Sequence, residues 1–326
     1  MRDFMADIRK PIEADMKCFN ALFDESLSHS DGTLALALNH IRSRVGKRMR
    51  PMLAILIAKA YGEANETTYR AGVGLELLHT ASLVHDDVVD RADKRRGQRS
   101  MNSIFDNRIA VLVGDYILST ALLNVSLTGD VRIMESMSRL GQMLSKGELL
   151  QLTSNGSETI SEETYYDVIK QKTAALFAEA CVMGALSVNA SAEDVEEVRK
   201  FGQQVGTIFQ IRDDIFDYFD SEKIGKPTGN DMAEGKLTLP AIHAVLTTSD
   251  DEIKAIAQRV KSLNATPQER ERLIAYTREN GGIEYAENAM RSLHDEALGF
   301  INERVGDSAV KASLKAYLDY CIERTL

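Results

Sequence analysis

The chain predicts an all-α fold, a single large helical bundle domain over residues 1–326. Three observations carry that expectation. Only five prolines occur and none lies between Pro51 and Pro227, which leaves room for several long helices. Apolar side chains recur at three and four spacing rather than in alternation, as at Leu75, Leu78 and Leu83 or Val168, Ala175 and Leu176. No Asn-Gly or Asp-Gly pair sits between alternating strands, so nothing signals a sheet.

The local punctuation agrees, element by element. Gly97 follows a cationic turn and reads as a helix stop, because cations favour a helix C-terminus and glycine follows it. Ser154 to Ser161 reads as a polar loop. Ser191-Ala192-Glu193-Asp194 opens a helix in the manner of a capping box. Asp220 to Lys236 mixes glycine, proline and lysine and reads as the clearest loop. Thr266-Pro267-Gln268-Glu269 supplies a capping threonine, a proline at the first helical position and a reciprocal glutamate. Gly281-Gly282 is a stop. No linker rich in proline, glycine or serine divides the chain.

Composition excludes several function classes. The net charge is −10 and no basic stripe occurs, which argues against a nucleic-acid binder. Cys18, Cys181 and Cys321 lack metal-ligand or redox spacing and read as small packing residues in a reducing compartment. The N-terminal segment carries acids where a signal peptide needs an apolar run, and no uncharged apolar stretch reaches bilayer length. The expected location is cytoplasmic, with peripheral membrane contact if the product is apolar.

The chemistry lies in a repeated acidic motif. Asp-Asp-x-x-Asp occurs as Asp86-Asp87-Val88-Val89-Asp90 and again as Asp213-Asp214-Ile215-Phe216-Asp217. On a helix the first and last aspartates of each copy are i and i+4, so like charges share one face and repel. A cation relieves that repulsion, and a cluster of oxygen ligands suits Mg²⁺ shared with a phosphate. Arg95 and Arg96 follow the first copy, and Lys226 and Lys236 follow the second. One such motif reads as a solvated helix face; two, each trailed by cations, point to a metal-bridged diphosphate site.

In order, the chain carries Gly46-Lys47-Arg48-Met49-Arg50-Pro51, His79, the first acidic motif with Arg95-Arg96-Gly97, Gly147-Glu148-Leu149-Leu150-Gln151, Lys172-Thr173, Gln210 with the second motif, and Lys226 and Lys236. This ordered set resembles the trans-isoprenyl diphosphate synthases, the head-to-tail polyprenyl synthase family, over about Val45 to Pro240. The resemblance implies a helical bundle with a central cavity and a homodimer. It implies that an allylic diphosphate is held by Mg²⁺, about three ions per site, between the two motifs. Asp86, Asp90 and Asp213 would be ligands, with Asp87, Asp214 and Asp217 as further ligands or as residues orienting metal-bound water. Arg95, Lys172, Lys226 and Lys236 would contact the allylic diphosphate. Lys47, Arg50, His79 and Arg96 would form a metal-free pocket for isopentenyl diphosphate, arginine suiting phosphate by its planar fork. Lys172, Thr173 and Gln210 would stabilise the allylic cation with oxygen atoms, and released diphosphate would take the final proton. Glu148 and Gln151 would support the site as a polar network, Arg48 would face solvent or pair with an acid, and Arg212 would be a local counter-ion.

Rival readings fit less well. A class I terpene cyclase needs no isopentenyl diphosphate pocket and carries a different second motif. A regulatory subunit of a heteromeric synthase usually lacks one of the acidic motifs, and both are intact here. A short-chain synthase usually carries an aromatic four or five residues before the first motif; here those positions are Ser82 and Ala81, with Leu78 and Gly74 next along the wall. No insertion interrupts the motif. The expected product is therefore hexaprenyl to decaprenyl rather than farnesyl or geranylgeranyl diphosphate. Each residue adds ~1.5 Å of helix rise, so Ala81 and Ser82 lie about two turns or less from the metal ligands. Ala81→Phe should shorten the product to about farnesyl or geranylgeranyl size, read by chromatography of labelled products; unchanged length would remove this wall as the determinant.

Overall fold

The computed structural model describes residues 3–43, 46–95, 98–155, 159–219 and 228–324. In chain order its helices are α1 Phe4–Arg9, α2 Glu13–Ser26, α3 Gly32–Arg42, α4 Met49–Tyr61, α5 Glu66–Val89, α6 Met101–Phe105, α7 Asn107–Ser126, α8 Val131–Asn155 and α9 Glu162–Ile169. A π-turn at Lys170–Ala174 leads into α10 Ala175–Ser187, followed by α11 Ala192–Phe216, α12 Asn230–Ala233, α13 Leu239–Thr247, α14 Asp251–Lys261, α15 Pro267–Glu279, α16 Gly282–Arg304 and α17 Ser308–Glu323. The all-α expectation holds. The single departure among the described residues is a two-stranded hairpin, β1 Lys94–Arg95 with β2 Gln98–Arg99.

The chain forms two compact units. The first comprises residues 1–142, 176–202 and 300–317. Its centre is built from α4 and α10, which bury nearly every side chain, as a helix apolar on all faces must. Two glycines permit close packing here. A Cβ on Gly184 of α10 would lie 2.3 Å from the Ala54 carbonyl oxygen of α4, and one on Gly74 of α5 would lie 2.4 Å from Val125 of α7. Gly74 thus allows α5 and α7 to approach closely.

The second unit comprises residues 143–175, 203–299 and 318–326. Its core gathers Tyr218, Met232, Ala241, Val245, Ile256 and Leu273 from the loop after α11 and from α12 to α15. Thr266 caps α15 in the predicted reciprocal box, its oxygen accepting from the Glu269 amide at 3.2 Å while Glu269 accepts from the Thr266 amide at 2.8 Å. Ser191 likewise accepts from the Asp194 amide at 3.1 Å.

Other expectations need amendment. The helix bearing the first acidic motif stops at Val89, not near Gly97; Arg91 takes a left-handed backbone (φ 51°), and Gly97 lies outside the described residues. The polar stretch beginning at Ser154 starts within α8, which runs to Asn155. Cys181 and Cys321 are buried, whereas Cys18 is exposed. One helix, α7, is long and apolar enough to cross a membrane by length and composition, although it carries Arg108 and Asp115 and packs Ala110, Val113, Ile117 and Ala121 inward.

Gly184→Ala should lose about 1–3 kcal/mol by overpacking against backbone. Gly299→Ala, within α16 and with nothing inside 4 Å of a new Cβ, should gain about 0.4–1 kcal/mol. Urea midpoints at unchanged m-value read both.

Candidate active site

In the first unit the cationic motif is a turn with its own anchor. Arg48 caps α4 with a left-handed backbone (φ 54°), unfavourable for a residue with a side chain. What holds it there is its guanidinium, which bonds Asn20 and lies 4.7 Å from the Phe23 ring centre and 5.6 Å from that of Phe19. Such cation–π contacts contribute about 0.5–1 kcal/mol each where exposed, more when desolvated. Burial pulls the Arg48 pKa down from its ordinary value, with Asp24 and Glu76 opposing. Arg48 therefore does not face solvent or pair chiefly with an acid, as sequence alone implied; it pins the turn to α2. Lys47 is left exposed, and Arg50 lies 4.8 Å over the Phe177 ring. Arg50 is in the first turn of α4, which packs on α5, the helix carrying half-buried His79. Arg96 lies outside the described residues, as does the Arg95 side chain.

The first acidic motif ends α5. Asp86 is half-buried and Asp90 exposed, but Asp87 is only 3% exposed. Asp90 serves as the C-cap and its amide returns to the Asp86 carbonyl at 2.8 Å, so the i, i+4 geometry survives at the helix end. His85 sets the neighbouring contact: its Nε2 lies 3.4 Å from Asp115, and a Cβ on Gly114 would fall 2.2 Å from that nitrogen. Upstream, Ala81 and Leu78 are buried (1% and 7% exposed) while Ser82 is half-buried, its hydroxyl donating to the His79 carbonyl at 2.9 Å. Ser82 is thus the more open of the two small residues.

In the second unit the π-turn carries Lys172 and Thr173, and such one-turn bulges are frequent at functional sites. Gly147 of α8 explains its own place in the sequence, since a Cβ there would lie 3.2 Å from the Lys172 amide and 3.0 Å from Gln171. Next to it and one turn further along, Glu148 and Gln151 hold the Lys172 ammonium at 2.5 Å and 3.2 Å. Their supporting role is therefore direct. Thr173 Oγ1 donates to Gln210 Oε1 at 2.7 Å, Gln210 Nε2 donates to Asp214 Oδ1 at 2.7 Å, and Tyr165 O–H donates to Asp214 Oδ2 at 2.6 Å. Burial pushes the Asp214 carboxyl well above its usual range, with Asp231 and Asp213 pushing the same way and the two donated hydrogen bonds opposing. Burial also raises the Tyr165 phenol. These groups line a cavity of about 230 Å³ together with Lys172, Lys236, Asp231 and Lys261.

The second motif is less uniform than the first. Asp213 is exposed and meets Arg324 at 2.7 Å. Asp214 is 4% exposed. Asp217 lies past the end of α11, where its amide bonds the Asp214 carbonyl at 3.2 Å instead of reaching back four residues. Its carboxylate accepts the amides of Asn230 and Asp231, each at 3.0 Å, so it organises the chain entering α12. Asp217 thus stands one residue past the helix end with its carboxylate engaged by the segment that follows. Lys236 pairs with Glu234 at 2.6 Å, and Lys226 lies outside the described residues. Arg212 packs 4.7 Å from the Phe216 ring and donates to the Arg324 carbonyl at 3.3 Å rather than serving Asp213. Sequence reasoning also missed Tyr165, Phe177, Lys261 and Arg324. Tyr165 alone left a signal, standing seven residues, or two turns, before Lys172.

Oxygen donors dominate both motifs, which suits a hard cation such as Mg²⁺. Among the described residues no three His, Cys, Asp or Glu side chains are already gathered as a metal cluster. Within the first unit the accessible carboxylates of Asp86 and Asp90 suit an ion that completes its shell with water and phosphate, and within the second that of Asp213 does; buried Asp87 and Asp214 fit less well.

A family model described as polyprenyl synthetase matches residues 31–277. The octaprenyl diphosphate synthase of Escherichia coli (strain K12) is 38% identical over 77% of this chain and 78% of its own length. The crystal structure of a geranylgeranyl pyrophosphate synthase from Bacteroides thetaiotaomicron is 46% identical with a TM-score of 0.87, over 99% of this chain and 100% of that one. A polyprenyl synthase from Caulobacter crescentus CB15, solved with calcium and isoprenyl diphosphate, is 28% identical with a TM-score of 0.90, over 98% of each chain.

Replacing Arg324 by Gln removes the counter-ion of Asp213. Because the Asp213 side chain is 45% exposed, the expected effect is small: half-saturation by Mg²⁺ at roughly two- to five-fold lower concentration in a binding titration. No shift would mean that Arg324 does not compete for this carboxylate.

Proposed function

Because the chain belongs to the polyprenyl synthetase family, a family of prenyltransferases, we propose that it condenses isopentenyl diphosphate with an allylic diphosphate to build an all-trans polyprenyl diphosphate longer than C20. The observation that carries the reading is the cavity in which Thr173 and Gln210 present oxygens, Lys172 and Lys236 present cations, and the second acidic motif contributes Asp214 to the wall. All of residues 1–326 serve this one activity.

Each group has a distinct task. Lys172 and Lys236, with Lys226 and Arg95, hold the allylic diphosphate, and Asp86, Asp90 and Asp213 would hold Mg²⁺. When bound, about three such ions neutralise the charge that the leaving diphosphate acquires. Thr173 and Gln210 stabilise the allylic cation by charge–dipole attraction, which is strong in a cavity shielded from water. Lys47, Arg50, His79 and Arg96 bind isopentenyl diphosphate, whose double bond attacks the cation. The released diphosphate takes the proton.

Small side chains at Ala81 and Ser82 favour a product of roughly C30 to C50, in keeping with the octaprenyl relative; the geranylgeranyl relative makes length an experimental outcome. A second copy of the chain fits the outer face of α7, where Leu112, Leu123 and Leu127 are 68%, 58% and 56% exposed. So large an apolar stripe calls for cover, and we take the functional unit to be a cytoplasmic homodimer that meets membranes only peripherally.

Purified protein supplied with Mg²⁺, farnesyl diphosphate and labelled isopentenyl diphosphate should elongate the primer, and chelation of divalent metal should abolish this. Asp86→Ala and Asp213→Ala should each lower kcat by at least ~10²–10³. Products no longer than C20 would favour the short-chain reading. Failure to elongate any primer would favour the regulatory-subunit reading.

A further inference from the structure

We propose that Tyr165 and Asp214 are positioning residues that fix which end of the Gln210 amide faces the cavity, so that oxygen rather than N–H is presented to the developing cation. The inference rests on the prenyl-transfer reading of the same cavity and assigns work to two side chains that this reading leaves unexplained.

The argument is one of donors and acceptors. Both Asp214 oxygens already receive a donor, Oδ2 the Tyr165 hydroxyl and Oδ1 the Gln210 amide, so it is the NH₂ end of Gln210 that Asp214 holds. The amide oxygen is thereby turned the other way, where it accepts the Thr173 hydroxyl at 2.7 Å. That hydroxyl has committed its proton to Gln210, so its oxygen has only lone pairs left to offer. Each bond in the series is directed at the next member: Thr173 donates to Gln210, Gln210 to Asp214, and Tyr165 to Asp214 at its other oxygen.

Reversing the amide would set Oε1 against a buried carboxylate oxygen, two acceptors in contact, at a position where Asp214 is 4% and Tyr165 8% exposed. The Tyr165 hydroxyl is what prevents Asp214 from rotating to satisfy itself elsewhere. Without it, Oδ2 loses its 2.6 Å donor and the carboxylate is free to leave Gln210. An oriented series of this kind is set before the reaction and needs no rearrangement as charge develops.

The test compares affinities for two probes. One is an analogue of dimethylallyl diphosphate with a charged ammonium at the reacting end; the other is its neutral carbon isostere. Both are titrated calorimetrically with Mg²⁺ present, so that contributions from metal and diphosphate cancel in the ratio. Wild type should prefer the ammonium by about ten-fold or more. Tyr165→Phe should cut that preference roughly five-fold, yet have no further effect in a Gln210→Leu background. Asp214→Asn should do more than Tyr165→Phe, because its new amide donates to Gln210 Oε1 and turns the Gln210 N–H groups toward the cation. It also carries the test should Tyr165→Phe fail to fold.

A wild-type protein without ammonium preference, a preference unchanged in Tyr165→Phe, or an equal further loss in the Gln210→Leu background would overturn the relay. A wild type that discriminates between the probes but forms no product from its substrates would leave the relay standing and overturn the prenyl-transfer reading.

Discussion

A carboxylate removed from water must be answered by donors, and the second half of this molecule is arranged around that requirement at Asp214. Leaving such a group unanswered costs about 1–3 kcal/mol or more, a sizeable share of any domain's stability. Tyr165 of α9 and Gln210 of α11 supply the donors, and each is then committed to one orientation. Thr173 follows, because the only acceptor left on Gln210 is its oxygen. Fixing one buried carboxyl therefore fixes the polar wall of the cavity, and that polarity suits the cationic intermediate of the proposed reaction.

Backbone proximity makes these contacts reachable. Gly147 brings α8 against the π-turn, so that Glu148 and Gln151 can reach the Lys172 ammonium. Within the other unit, Gly184 and Gly114 do the same for α10 against α4 and for α7 beneath His85. A side chain at Gly184 would run into the Ala54 backbone, one at Gly114 would displace the His85 ring, and one at Gly147 would press on Gln171 and the Lys172 amide, and hydrogen bonds weaken as such contacts open. The glycines are thus the mechanical counterpart of the polar network.

Much of this was legible in the sequence because it is local. Capping boxes at Ser191 and Thr266 are written in four consecutive residues, and the acidic motifs in five. Lys172, Thr173 and Gln210 could be picked out as a set because the ordered motifs around them resemble a family, not because their spacing reveals a contact. The missed features are long-range. Arg48 looks like any surface arginine until α2 brings Phe19, Asn20 and Phe23 beneath it. Arg324 is separated from Asp213 by more than a hundred residues, and no periodicity connects them. Asp217 reads as the twin of Asp90, yet its amide turns to Asp214 and its carboxylate is taken by two amides of the next segment. Identical motifs diverge when the chain downstream of them differs.

The groups proposed to face the cation and the small residues before the first motif stand on different helices, with Thr173 in the π-turn, Gln210 on α11, and Ala81 and Ser82 on α5. On the proposed function, product size would be set on α5 and bond-forming chemistry on α9, the π-turn and α11. Such a division lets a lineage explore lipids of many lengths by drift at a few positions, without crossing a valley of inactive intermediates. It also marks α5 as the helix to diversify in a directed-evolution library and the polar series as the part to leave alone.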